Sequence, residues 1–196
     1  MERPVLPFAP GAGAPSSSPW MTAWAERLGA LGAVVPFDYP YQQRGSKSPD
    51  RLPKLVAAHV EAIGRARAAH PGAPVVLAGK SMGSRVGCHV AAEGLAEVAA
   101  LVCFGYPLVG RGGKRRDEVL LALRTPILFV AGTRDPLCPL EALEAVRAKM
   151  EAPSSLWVVP TGDHSLQVTK ARAREQPQEA HDDEILAAVR TFLASV

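Results

Sequence analysis

The chain has no uninterrupted apolar stretch of membrane-spanning length, so nothing in it reads as a transmembrane helix. Its opening, Met1-Glu2-Arg3-Pro4, runs into a short Pro-broken segment without a signal-peptide core. Cysteine is scarce and odd in number: Cys88, Cys103 and Cys138 have no C-x-x-C spacing, and each lies in or beside an apolar stretch. That pattern argues against a disulfide framework and reads as buried free thiols in a reducing compartment. A dominant charge is missing too. Lys and Arg number 22 against 19 Asp and Glu, and the formal net charge of +3 is spread along the sequence. Such a balance gives no reason to expect a nucleic acid or an anionic membrane as partner. The one basic cluster, Arg111-Gly112-Gly113-Lys114-Arg115-Arg116, reads as a solvated loop. The expected location is inside a cell, cytoplasmic by default, with a nuclear address left open.

What is present is a regular alternation of strand and helix patterns over 196 residues, enough for one domain, 1–196, with a real core. Strands are predicted at 5–9, 33–37, 75–78, 98–104, 127–131 and 156–159. Between them lie a helix at 20–31 behind Ser18-Pro19, and one carrying Leu52, Val56, Val60 and Ile63 with Asp50 as its N-cap. Further helices follow at 86–92 and 140–150, and a final amphipathic one carries Ile185, Leu186, Val189, Phe192 and Leu193. Residues 105–124 are Gly-, Pro- and Arg-rich, too irregular for a core element, and read as a short cap over the strand ends. Six mostly parallel strands with helices on both faces, an α/β doubly wound sheet, is the predicted architecture.

Directly after the run Val75-Val76-Leu77-Ala78 come Gly79-Lys80-Ser81-Met82-Gly83, which spell G-x-S-x-G between a strand and a helix pattern. A serine hydroxyl becomes a useful nucleophile when a sharp turn exposes it at a strand end, where a base and backbone N–H donors can reach. The flanking glycines fit a turn with no room for side chains. Gly79-Lys80-Ser81 also imitates the end of a phosphate-binding loop. The spacing rejects that, because Pro74 stands where the loop's first glycine belongs and a β-branched strand replaces the flexible loop.

Sites in open parallel sheets form in the loops after the carboxyl ends of strands. After residues 127–131 comes Gly132-Thr133-Arg134-Asp135-Pro136, and after 156–159 comes Pro160-Thr161-Gly162-Asp163-His164. The chain order nucleophile, acid, histidine is that of the α/β-hydrolase arrangement. Ser81, Asp135 and His164 are therefore the candidate triad. Asp163 ranks second as the acid and Asp38 third, the latter with an alternative role beside a buried lysine. His59, His70, His89 and His181 sit in or at the ends of helix patterns and compete poorly as the base. The oxyanion donors are expected to be the Met82 N–H and the Ala12 N–H of Pro10-Gly11-Ala12-Gly13. Lys80 is expected to fold under the turn toward Asp38 or Asp163.

The segments Pro10-Gly11-Ala12-Gly13, Phe37-Asp38-Tyr39-Pro40-Tyr41, Gly79-Lys80-Ser81-Met82-Gly83-Ser84-Arg85, Phe104-Gly105-Tyr106-Pro107-Leu108, Gly132-Thr133-Arg134-Asp135-Pro136 and Gly162-Asp163-His164-Ser165-Leu166 together resemble an α/β-hydrolase family. That family includes the testis-expressed 30 hydrolase-like proteins. The chain is also similar to the hydrolase-like part of the third subunit of the nonspecific-lethal acetyltransferase complex. The resemblance covers nearly the whole chain and implies a compact α/β-hydrolase fold with a minimal cap. Pro10 stands where such relatives commonly have histidine.

The function expected from these residues is serine hydrolysis of a small ester or thioester through an acyl-enzyme, with no cofactor and no metal. The rival is a catalytically silent interaction module that keeps the elbow as architecture, so a protein partner stays open beside the small-molecule acyl substrate. A cap of about twenty residues offers little apolar lining, which predicts a shallow acyl site. Tyr41 and Tyr106 are the candidate substrate-binding walls, each with the alternative of packing into its own loop.

Overall fold

The computed structural model describes residues 3–196. Six strands, β1 (Val5–Ala9), β2 (Ala33–Pro36), β3 (Val76–Lys80), β4 (Ala100–Phe104), β5 (Ile127–Gly132) and β6 (Ser154–Val159), form one sheet in the order β2-β1-β3-β4-β5-β6. Every pairing is parallel. The inner strands are buried on both faces, which is why they read as unbroken apolar runs and not as alternations.

The helices are α1 (Pro19–Leu28), α2 (Pro40–Gln43), α3 (Leu52–Ala69), α4 (Met82–Ala92), α5 (Glu118–Leu121), α6 (Leu140–Arg147), α7 (Lys170–Glu175) and α8 (Gln178–Ala194). Strand side chains alternate between faces. Leu6, Phe8, Val76, Ala78, Val102, Phe104, Leu128 and Val130 pack beneath α1 and α8 through Met21, Trp24, Ile185 and Val189. Leu77, Leu101, Cys103, Phe129 and Ala131 face α3, α4 and α6 through Ile63, Val86 and Leu143. All three cysteines are buried free thiols.

The structure departs from the predicted elements where local chemistry was ambiguous. Asp50 does not cap α3. Arg51 holds that position, and Asp50 pairs with Arg44 at 3.0 Å and Lys54 at 3.1 Å. Pro53 lies in the first turn and brings no N–H for a capping side chain to satisfy. The elements α2 and α7 were absent from the prediction, the first being a single turn and the second having no buried residue to set a period. Residues 105–124 are less irregular than expected: they contain α5, and Tyr106, Leu108, Leu120 and Leu123 are fully buried. Among the described residues no helix is long and apolar enough to cross a membrane.

Candidate active site

Ser81 follows β3 immediately and occupies the N-cap position of α4, with φ 50° and ψ −112°. A non-glycine residue in this region is strained, and it persists only where its surroundings fix it. They do so here by close approach: a β-carbon on Gly79 would strike the α4 backbone at Gly83 and Ser84, and one on Gly83 would overlap the Ala9 carbonyl of β1. The Ser81 N–H donates to the Phe104 carbonyl at 2.9 Å. The neighbouring Ser84 is turned away, its hydroxyl donating to the Gly79 carbonyl.

Loops from three strand ends converge on Ser81. Its Oγ lies 2.8 Å from Nε2 of His164, which follows β6, and Nδ1 of the same ring lies 2.8 Å from Oδ2 of Asp135, which follows β5. An ionised carboxylate only accepts, so Nδ1 carries the proton and Nε2 is left to accept from the serine hydroxyl. The Asp135 side chain is 0% exposed and that of His164 24%, so the acid is shielded while the base reaches the surface. The second carboxylate oxygen of Asp135 accepts from the Leu137 N–H at 2.8 Å, which fixes the carboxylate plane.

The rival acids are engaged elsewhere. Asp163 Oδ1 accepts from the N–H groups of Ser165 at 2.7 Å and Gln167 at 3.0 Å, so it shapes the loop that carries the histidine. Asp38 accepts from the Ser16 N–H at 2.6 Å and, among the described residues, has no lysine as an ion-pair partner. Neither carboxylate receives Lys80, contrary to expectation. Lys80 Nζ instead lies 3.0 Å from Ser165 Oγ, 3.3 Å from the His164 carbonyl and 4.3 Å from the Trp20 ring centroid. Burial pulls its pKa down to about 8, against the opposing pull of Asp163 and Asp135.

The turn after β1 stands against the nucleophile: a β-carbon on Gly11 would lie 3.6 Å from that of Ser81. Among the described residues, the N–H groups of Met82 and Ala12 have no hydrogen-bond partner, which leaves both able to donate. Two side chains absent from the predicted site brace its loops. Gln42 Nε2 holds the turn after β1, donating to the carbonyls of Gly11 at 3.0 Å and Ala14 at 2.8 Å, and Trp20 Nε1 holds the loop of the histidine, donating to the Ser165 carbonyl at 2.9 Å. No sequence spacing links these partners, so only the tertiary structure could reveal them.

The tyrosines correct the expectation of pocket walls. Tyr41 is fully buried and donates to the Ala12 carbonyl at 2.9 Å; Tyr106 is fully buried and donates to the Arg116 carbonyl at 2.9 Å. A buried phenol needs a partner, and a backbone carbonyl supplies it in each case. Burial pushes the Tyr41 pKa up to about 12 and that of Tyr106 well above its usual value, so both stay protonated donors. A cavity of about 560 Å³ opens near Pro74, Val75 and Ala99, at the amino ends of β3 and β4. It is on the far edge of the sheet from Ser81.

A family model described as an alpha/beta hydrolase domain matches residues 2–194. Among solved structures, the chain is similar to Est1E from Butyrivibrio proteoclasticus with ferulic acid bound, with a TM-score of 0.74 at 17% identity, covering 98% of this chain and 88% of that one. It is similar to a dienelactone hydrolase from Anabaena variabilis, with a TM-score of 0.74 at 20% identity and coverages of 98% and 86%. The RedJ thioesterase of Streptomyces coelicolor matches with a TM-score of 0.66 at 22% identity and coverages of 97% and 90%.

Proposed function

The chain belongs to the alpha/beta hydrolase domain family, and from that premise we propose that it is a serine hydrolase cleaving a small ester or thioester with Ser81, His164 and Asp135 as its triad. The observation that carries this reading is the unbroken relay of two 2.8 Å contacts from Ser81 Oγ through the imidazole to Asp135. In the reaction, His164 Nε2 takes the Ser81 proton as Oγ attacks the acyl carbon, and Asp135 stabilises the resulting imidazolium. The tetrahedral oxyanion is received by the N–H groups of Met82 and Ala12. His164 then protonates the leaving alcohol or thiol, and water repeats the sequence on the acyl-enzyme. Kinship with the testis-expressed 30 proteins and the nonspecific-lethal complex subunit is part of the same proposal.

A small acyl group fits a cap in which Tyr106, Leu108, Leu120 and Leu123 are committed to the core and Leu121 faces solvent. Methylenes beyond a shallow site stay in water and gain none of the roughly 0.8 kcal/mol that each would obtain by burial. With p-nitrophenyl esters from acetate to decanoate, kcat/KM is expected to be flat or falling with chain length, and Ser81→Ala to lose turnover throughout. A steady rise with length would overturn the shallow site. A folded wild type that hydrolyses none of the series would leave the silent interaction module as the reading.

A further inference from the structure

Resting on that proposed mechanism, we infer that Lys80 is a positioning residue for the base: with Trp20 it clasps the His164–Ser165 segment and so fixes His164 against Ser81. The sequence makes this residue anomalous. Side chains alternate along β3, and Lys80 continues the row of Val76 and Ala78 that lies buried beneath α1. A cation placed there must exchange water for other partners. Its ammonium finds the Ser165 hydroxyl at 3.0 Å, the His164 carbonyl at 3.3 Å and the Trp20 ring at 4.3 Å.

Trp20 is itself a fixed wall. Its ring stands edge-on to Phe104 at 5.8 Å and tilted to Phe8 at 6.4 Å, while its N–H donates to the Ser165 carbonyl at 2.9 Å. The 164–165 segment is thus gripped by a donor from β3 and a donor from α1. On a third side Gly105 closes in, since a β-carbon there would come within 2.8 Å of the His164 carbonyl and 3.4 Å of its Nδ1. The backbone of the base has no room to drift, and a base misplaced by about 1 Å can lose on the order of a hundredfold in rate.

The same arrangement carries a cost in stability. The folded protein holds the Lys80 pKa near 8, below its ordinary 10.5, through burial, with Asp163 and Asp135 the acidic groups that pull it back. Between those two values the unfolded chain binds more protons, so stability rises with pH across that window, and the charged lysine disfavours the fold below it. Replacing the ammonium by an apolar side chain should therefore spare or raise stability while loosening the base. A residue present merely to hold the fold together would behave in the opposite way.

The test compares wild type, Lys80→Met, Lys80→Arg and Trp20→Phe by kcat and KM on p-nitrophenyl acetate, by Tm, and by the low-field proton resonance of His164 Nδ1–H. Lys80→Met is expected to lower kcat about ten- to a hundredfold with KM nearly unchanged, Tm equal or higher, and the Nδ1–H resonance broadened by faster exchange. Lys80→Arg restores most of the rate, and Trp20→Phe gives a smaller loss. Wild-type kcat should decline above about pH 8 as Lys80 loses its proton, a decline that the arginine variant shifts upward. Wild-type kcat and an unaltered resonance in Lys80→Met, or a kcat loss matched by a fall in Tm, would overturn the inference. A wild type without turnover would instead defeat the hydrolase reading, and the resonance would still report on the clasp.

Discussion

At the scale of single residues, the site separates two acids of neighbouring loops, those after β5 and β6, by what each oxygen touches. Asp135 faces the imidazole at 2.8 Å, whereas Asp163 accepts the N–H groups of Ser165 and Gln167. Asp135→Asn replaces an acceptor-only group with an amide that can face Nδ1 with its own N–H, and the tautomer required of the base is lost. Initial rates of ester hydrolysis should fall on the order of 10³- to 10⁴-fold. Asp163→Asn keeps an oxygen for the loop and should cost less than about tenfold. Equal losses, or the reverse ranking, would reassign the acid. Ser81, Asp135 and His164 were legible because each ends a recognisable strand pattern in a fixed order. Tyr41 and Tyr106 escaped the reading because the direction of each side chain is set by burial and by a carbonyl well removed in sequence, those of Ala12 and Arg116.

At the scale of elements, the strand-turn-helix unit built from β3 and α4 depends on backbone approach. Gly83 lies so close to β1 that a β-carbon would overlap the Ala9 carbonyl, while Gly64, inside α3, has nothing within 4 Å of its would-be β-carbon. Gly83→Ala must push α4 off the sheet and should destabilise the fold by about 1–3 kcal/mol, as overpacking generally does. Gly64→Ala should stabilise it by roughly 0.5–1 kcal/mol, through helix propensity alone. Urea unfolding midpoints of the two variants decide the matter, and a Gly83→Ala midpoint equal to wild type would contradict the geometry of the elbow. The sequence located this unit correctly but began its helix at 86, because glycines and serines weaken helical periodicity where the structure shows α4 starting at Met82. The capping error at Asp50 has a similar source: an aspartate before a helix pattern can equally answer Arg44 and Lys54.

At the scale of the whole molecule, six parallel strands bring the carboxyl ends of β1, β3, β5 and β6 to one edge, where Ala12, Ser81, Asp135 and His164 stand. That convergence could be read in advance from the alternation of strand and helix patterns, since parallel strands send all their following loops to the same side. What could not be read were contacts between residues far apart in sequence, such as Trp20 with Ser165 and Gln42 with Gly11. The central claim is that this edge turns Ser81 into a nucleophile. The most direct measurement is treatment of the folded protein with a fluorophosphonate, followed by intact mass and peptide mapping. The account predicts a single adduct on Ser81 of the wild type, absent in Ser81→Ala and much slower to form in Asp135→Asn. No adduct on the folded wild type, or an adduct that persists on Ser84 when Ser81 is replaced, would contradict it.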